Sequence, residues 1–232
     1  DILFGNNSSY HSNAVKNYSI EGIVRSIPEI ASVETVEQYR NQVDLLDETN
    51  DTFNSYLLKD YFFNGEIYYR KKVPAAAIYE YVLTTHYPDG ILVYDTNELN
   101  TFRERCKANF PEVHIADNNS ALGATLISHC ILCDRGKYIF NDGKEFIPES
   151  LHTEIIEYVE NSKEPFVLYN TIFMAFRDKL SEYNINNRYF LQGIIKPELA
   201  KKYKCNRDLV AKDETFETVY KEIARFVSSH DY

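Results

Sequence analysis

The sequence predicts a mostly α-helical protein with small β-hairpins, in which one unit of structure is repeated in series. Segments with apolar residues at helical spacing alternate with short apolar runs. Some of these runs come in pairs, with turn residues between the two members of a pair. The same order of segments returns along the chain: Ile78–Val82 (IYEYV) is followed by Ile155–Val159 (IIEYV), and Phe102-Arg103 by Phe176-Arg177. Self-similarity of this kind indicates a repeat architecture.

The first repeat is predicted over 19–73, after a loose leader over 1–18 that is rich in Asn and Ser. Ser19 can cap its first helix. Asn64-Gly65 is the strongest hairpin signal in the sequence, because this dipeptide accepts the positive φ angles of a tight turn. The apolar positions that predict its three helices are Ile20, Ile23, Val24 and Ile27, then Val36, Tyr39 and Val43, then Phe53, Leu57 and Tyr61.

The second repeat is predicted over 74–147. Pro74 suits a first helical turn, and Asn118, Asn119 or Ser120 can cap the third helix. Its helices are predicted from Ile78, Tyr81 and Val82, from Leu99, Phe102, Cys106 and Phe110, and from Leu122, Leu126 and Cys130. Its strands are predicted at 91–94, 130–133 and 137–140, the last two joined by the turn Asp134–Gly136.

The third repeat is predicted over 148–213 and follows the same order. Its helices are predicted at 151–160, 171–183 and 187–196, and its strands at 166–169, 203–205 and 209–212. Beyond it, Thr215 can cap a helix through Val219, Ile223 and Phe226. That segment predicts the first helix of a truncated further repeat over 214–232.

The composition excludes several classes of protein. With 44% hydrophobic and 26% charged residues in 232, the chain can build a globular core and is neither collagen-like, disordered nor membrane-spanning. A net charge of -10 opposes nonspecific polyanion binding by the whole molecule. Four cysteines and no signal segment lead us to expect a reducing, cytoplasmic location. Because the chain starts at Asp1 and its only methionine is Met174, we expect a piece of a longer protein.

Three helices followed by a hairpin form the winged-helix arrangement, a helix-turn-helix with a hairpin wing. Leu132–Ile139 (LCDRGKYI) and Tyr183–Ile194 (YNINNRYFLQGI) resemble the tandem winged-helix modules of bacterial regulators with sigma-factor-like helix-turn-helix segments. They are distantly similar to the HARE-HTH modules of the delta subunit of bacterial RNA polymerase. The resemblance covers roughly residues 75 to 213. It implies a transcription-related role, with double-stranded DNA and RNA polymerase or another protein subunit as partners, and no membrane.

The third repeat carries the predicted DNA-binding site. In a helix-turn-helix the third helix enters the major groove, where Arg can pair with guanine and Asn with adenine. Residues 184–207 hold six Lys or Arg and one Glu, which is the one plausible phosphate footprint of the chain. The predicted nucleic-acid-binding residues are Asn187, Arg188, Tyr189, Lys196, Lys201, Lys202, Lys204 and Arg207, with Arg135 and Lys137 from the wing of the second repeat.

Other interpretations of these residues stay open. The basic stretch can be a solvated face, with Asn186 capping the helix and Arg188 in an internal salt bridge. Glu34–Asp51 holds six acids against one arginine and would repel DNA, so the chain can instead be a protein-protein interaction array within a larger complex. Cys130 and Cys133 form a single CxxC, which more often packs as small hydrophobes than binds zinc. Since the sequence lacks the Walker, GxSxG and HExxH motifs, we expect no enzyme, no metal and no cofactor.

Overall fold

A computed structural model describes residues 20–43 and 50–212, together with the isolated residues Thr218, Lys221 and Ser228. The predicted leader lies outside the described residues, and so does the predicted further helix apart from those three isolated positions. Over the described ranges the protein is mostly α-helical with small antiparallel sheets, which confirms that part of the predicted fold class. No helix within them is both long enough and apolar enough to cross a membrane.

The helices and strands of the described residues follow one order three times: helix, strand, helix, helix, strand, strand. The first set is α1 (Ile20–Ser26), β1 (Ile30–Ser32), α2 (Val33–Arg40), α3 (Asn50–Asp60), β2 (Tyr61–Phe63) and β3 (Ile67–Arg70). The second set is α4 (Ala75–His86), β4 (Ile91–Leu92), α5 (Thr96–Asn109), α6 (Asn119–His129), β5 (Cys130–Asp134) and β6 (Lys137–Phe140). The third set is α7 (Glu149–Asn161), β7 (Phe166–Leu168), α8 (Tyr169–Ser181), α9 (Arg188–Leu199), β8 (Lys204–Cys205) and β9 (Leu209–Ala211).

Each set forms one three-stranded sheet, and the last strand of the set always lies in the centre. The strand orders are β1-β3-β2, β4-β6-β5 and β7-β9-β8, and every pair is antiparallel. The strand β1 had no counterpart among the sequence predictions. Its three residues are too few to show the two-residue alternation by which a strand is recognised.

The chain divides into two compact units. The first contains the described residues within Asp1–His86 and Asn100–Ala116, and the second contains those within Tyr87–Leu99 and Asp117–Tyr232. The division falls within the second predicted repeat, so the repeat boundaries at 73 and 147 stay a prediction.

In the first unit, aromatic side chains link the helices to the sheet. The hydroxyl of Tyr61 donates a hydrogen bond to the Ile27 carbonyl at 2.7 Å, and burial raises the pKa of Tyr61 to about 12. The Phe110 ring meets the rings of Tyr69 and Tyr81 edge-on, with centroids 5.1 and 5.5 Å apart. Edge-on pairs of this kind add to the stabilisation that comes from burying the rings.

In the second unit, the core of the last set lies between α7, α8, α9 and β9. Its fully buried members include Ile155, Val159, Ile172, Leu180, Leu191, Ile195 and Val210. Along each helix the buried residues recur every three or four positions, as in Ile172, Phe176 and Leu180 of α8, which is the spacing of one buried face. The third helix of the third predicted repeat was expected to end at Lys196, but the corresponding helix, α9, continues through Pro197 to Leu199. The side chain of Leu199 is only 1% exposed, so its burial favours the extra turn.

The helix α9 also lies against β5, and Gly193 is the point of closest approach. A Cβ atom at Gly193 would lie 2.3 Å from the Leu132 carbonyl oxygen and 2.6 Å from Cγ2 of Ile131. Only a hydrogen atom fits there, so the backbone of the helix rests directly on the strand. At the start of the helix, Nδ2 of Asn187 donates to the Cys133 carbonyl at 2.9 Å.

We expect Gly193→Ala to destabilise the second unit. The added methyl group overlaps the backbone of Leu132 as well as the side chain of Ile131, and the backbone cannot move aside easily. The cost should therefore be about 1–3 kcal/mol, despite the helix-favouring effect of alanine. Gly123→Ala is the matched control, because Gly123 is also helical but its nearest neighbour, the Val93 carbonyl oxygen, would lie 3.1 Å away. Urea unfolding of both variants measures the difference. Equal stabilities would contradict the close contact between α9 and β5.

Candidate nucleic-acid interface

The side chain of Asn187 is used by the fold. Its Oδ1 accepts hydrogen bonds from the backbone N–H groups of Tyr189 and Phe190, at 2.9 Å each, and so caps α9. Its Nδ2 donates to the Cys133 carbonyl. The cap of this helix is therefore Asn187 and not Asn186. The side-chain amide of Asn187 has one N–H left to offer a base, whereas pairing with adenine requires both the oxygen and the nitrogen of that amide.

Arg188 is likewise held within the protein. Its guanidinium donates to Oδ1 of Asp208 at 2.8 Å and lies 4.5 Å from the centroid of the Tyr189 ring. Burial opposes the charged form, but hydrogen bonds to Asp208 and Tyr189 outweigh it and hold the pKa of Arg188 above its usual range. An internal salt bridge of Arg188 was one of the interpretations that the sequence left open, and the structure has this salt bridge, with Asp208.

The exposed surface of α9 is small. Within Arg188–Leu199 only Lys196 and Pro197 are exposed, and the remaining residues are buried or half-buried. A helix that reads the major groove must present several side chains on one open face. The corresponding helix of the second set, α6, exposes only small or uncharged residues, namely Ser120, Ala121, Ala124, Ser128 and His129.

The remaining predicted lysines are spread over the surface. Lys201 pairs with Glu198 at 2.5 Å, and Lys202 pairs with Glu160 at 2.6 Å. Exposed pairs like these contribute little to stability. Lys204 is exposed on β8, and Lys137 is half-buried on β6.

Three predicted cations converge on one groove of the second unit. Arg135 from the β5–β6 turn, Lys196 from α9 and Arg207 from the β8–β9 turn all line a cavity of about 960 Å³. We refer to this cavity as the basic groove. Its lining also includes Leu92, Tyr94, Asp95, Ile127, Cys130, Ile131, Leu132, Gly136, Tyr138, Tyr189, Gln192, Gly193, Pro197, Ala200 and Asn206.

The charge of the basic groove is positive. Among the residues that the structure describes, no carboxylate pairs with the side chain of Arg135, Lys196 or Arg207 within 4.0 Å. Of the described residues that line the groove, Asp95 is the only acid, and its Oδ1 caps α5 by accepting from the backbone N–H groups of Asn97 and Glu98 at 2.8 and 3.0 Å. The partial positive charge of a helix N-terminus offsets that carboxylate.

Tyrosine rings form another part of the basic groove. Tyr94 is 74% exposed, although its Cδ2 lies in van der Waals contact, 3.4 Å, with the position a Cβ of Gly136 would take. Burial and a hydrogen bond with Tyr94 raise the pKa of Tyr138 to about 12. A large ring surface is thus held in place while it faces water.

The two cysteines of the CxxC lie on β5 and are half-buried. Burial raises the pKa of Cys130 to about 12, and the Cys133 thiol donates to the Lys137 carbonyl at 3.5 Å. Across the described ranges, no group of three or more His, Cys, Asp or Glu side chains is placed to hold a metal ion.

The sequence prediction and the basic groove share four residues: Arg135, Tyr189, Lys196 and Arg207. Tyr94 and Tyr138 were missed. The sequence carried no signal for Tyr94, because Ile91–Tyr94 is a continuous apolar run. The structure shows that Leu92 and Tyr94 are exposed while Ile91 and Val93 are buried. No signal in the sequence indicated that α9 would pack on β5.

Comparisons with known proteins give no match: no protein-family model fits the chain, and neither the curated proteins nor the solved structures contain a significant relative. The resemblance to tandem winged-helix modules therefore stays a prediction.

We expect Asn187→Ala to lower the free energy of unfolding by about 1–3 kcal/mol, because it removes the cap of α9 and the bond to Cys133. Asn186→Ala is the matched control, since Asn186 is exposed on the neighbouring position. Urea unfolding measures both. Equal stabilities of the two variants would show that the cap does not support the helix.

We expect the Cys130 thiol to resist alkylation. With a pKa of about 12 against an ordinary 9.0, its thiolate fraction at pH 8 is about 1,000-fold lower than that of a free thiol. Because the unfolded thiol ionises more readily, stability should fall as the pH rises above 9.0. Mass spectrometry of iodoacetamide-treated protein, native and in urea, measures the rates. Labelling of native Cys130 at the unfolded rate would contradict the burial.

Proposed function

We propose that the protein binds nucleic acid through tandem winged-helix modules, with the second unit contacting phosphates in the basic groove. The observation that carries this proposal is the convergence of three cations, Arg135, Lys196 and Arg207, on one groove of a chain whose net charge is -10. None of the three pairs with a carboxylate in the part of the chain that the structure describes. Such a local concentration of positive charge attracts a polyanion even when the whole molecule is acidic.

The repeated order of elements supports the winged-helix part of the proposal. Each set has three helices and then a hairpin, whose second strand pairs with the strand between the first two helices. The transcription-related role, and RNA polymerase as a partner, rest on the resemblance of Leu132–Ile139 and Tyr183–Ile194 to bacterial regulators.

The mode of contact differs from insertion of a recognition helix into the major groove. Asn187 and Arg188 are engaged within the protein, and α9 has only two exposed residues. The proposed contacts are therefore with phosphates, which position a nucleic acid without reading its sequence.

A second candidate is docking of another protein on the first unit. Phe63 is 46% exposed and stacks on Tyr68 with ring centroids 4.5 Å apart, while Leu58 is 57% exposed. Exposed aromatic side chains are enriched where proteins bind one another. This candidate is compatible with nucleic-acid binding by the second unit, because it uses different residues. Co-purification of a protein that Phe63→Ala releases would support it.

We expect the affinity for DNA to fall steeply with salt. Three phosphate contacts give a slope of log affinity against log salt of about -2 to -3, and Lys196→Ala/Arg207→Ala should reduce that slope to about -1. Fluorescence anisotropy with a labelled oligonucleotide between about 50 and 200 mM NaCl measures it.

The control variant is Lys144→Ala/Lys163→Ala, which changes the net charge by the same amount at two exposed lysines outside the lining of the groove. It should keep the slope of the unchanged protein. Absent binding, or equal slopes for the two double variants, would reject the basic groove as the site.

A further inference from the structure

We infer that the basic groove takes single-stranded nucleic acid, with a base stacked on Tyr94 and the backbone held by Arg135, Lys196 and Arg207. This inference rests on the proposed function and specifies its ligand. Four features of the second unit lead to it: the shape of the groove, the ring of Tyr94, the placement of the cations and the state of α9.

The groove is a concavity with apolar walls. Its volume of about 960 Å³ lies near the upper end of the range of about 300–1,000 Å³ that small-ligand pockets occupy. Leu92, Ile127 and Leu132 are part of the lining. A duplex presents phosphates and sugars on its outside and keeps its bases stacked, so it has no apolar group to fill this space. A single strand can turn its bases into it.

Tyr94 offers the surface that a base requires. The residue is 74% exposed, yet Cδ2 of its ring lies 3.4 Å from the position that a Cβ of Gly136 would take in the β5–β6 turn, and its side chain shares a hydrogen bond with Tyr138. A ring held in this way loses little conformational freedom when a base stacks on it. Proteins that bind single strands combine such rings with cations, and every base has a face that can stack.

The cations lie where a strand can follow them. Arg135, Lys196 and Arg207 come from three separate elements, and all three side chains belong to exposed residues. A flexible backbone can adjust its phosphates to such positions, whereas the phosphates of a duplex have a fixed spacing. The acid in the lining, Asp95, accepts hydrogen bonds from the first turn of α5.

The contacts of α9 argue against the main alternative, which is a duplex read by this helix. Its N-terminal residues, which would read bases in a duplex, are bonded to Cys133 and Asp208, and its backbone is pressed on β5 at Gly193. The charge and rings of the groove fit a nucleic acid better than an acidic peptide, because a peptide carboxylate would use the cations but leave the face of Tyr94 uncovered.

The test compares three labelled probes of about 12 residues: an oligonucleotide of thymidines, an abasic oligonucleotide with the same phosphates, and a duplex. We expect the thymidine strand to bind about 5- to 100-fold more tightly than the abasic strand and more tightly than the duplex. Comparing the affinity of the thymidine strand with that of a uridine strand of the same length shows whether the groove prefers DNA or RNA. Poly-glutamate serves as the peptide competitor and should displace the strand poorly.

Two substitutions of Tyr94 complete the test. Tyr94→Ala should remove the advantage of the thymidine strand over the abasic strand and leave the salt slope unchanged, whereas Tyr94→Phe should retain it. Because the chain contains no tryptophan, Tyr94→Trp gives a single fluorescent reporter. Its emission should be quenched by the thymidine strand and not by the abasic strand. Since Tyr94 is mostly exposed, none of these variants should unfold the protein.

The outcomes separate this inference from the proposed function. If no probe binds, both fail. If the duplex or the abasic strand binds as tightly as the thymidine strand, if Tyr94→Ala has no effect, or if poly-glutamate competes equally, the inference fails. Salt-dependent binding of any nucleic-acid probe in those cases would leave the proposed function intact.

Discussion

The contact between α9 and β5 at Gly193 determines the functional surface of the second unit. Because a hydrogen atom stands where a side chain would meet the Leu132 carbonyl, the helix can approach the strand at backbone distance. Asn187 reinforces the approach by donating to Cys133. The contact brings Lys196 to the same cavity as Arg135 and Tyr94, and it also covers the helix that a helix-turn-helix would place in DNA.

The packing of α9 on β5 therefore explains which side chains of the second unit are available to a ligand and which are not. Residues that carry hydrogen-bonding groups suited to bases, Asn187 and Arg188, stabilise the helix and its surroundings instead. The cations Lys196 and Arg207, which remain available to a ligand, face the solvent. An arrangement of this kind favours attraction of phosphates over recognition of a base sequence.

The sequence was sufficient to predict most helices and hairpins, because burial at helical spacing and turn residues such as Asn64-Gly65 are local signals. It was insufficient for β1, whose three residues carry no pattern, and for the end of α9, where burial of Leu199 outweighs the breaking tendency of Pro197. Tertiary context decided both.

The candidate site was predictable in part, and the charge of 184–207 located two of its three cations. An internal salt bridge of Arg188 was one of the interpretations that the sequence left open. The partners of Asn187 and Arg188 were not predictable, since Cys133 and Asp208 are separated from them by 54 and 20 positions. The close contact at Gly193 was not predictable either, because a glycine within a helix can mark a close contact or only a weak helix. Tyr94 could not be found from the sequence either, because the run Ile91–Tyr94 is apolar throughout and only the structure shows which of its residues are exposed.

Hydrogen exchange of the α9 amides, with and without a saturating single-stranded oligonucleotide, measures whether α9 stays on β5 when the groove is occupied. If α9 stays on β5 while the groove is occupied, its amides exchange slowly in both states, and protection increases at the turns around Arg135 and Arg207. Fast exchange of α9 in the free protein, or faster exchange when nucleic acid binds, would show that the helix leaves the strand and would contradict the account.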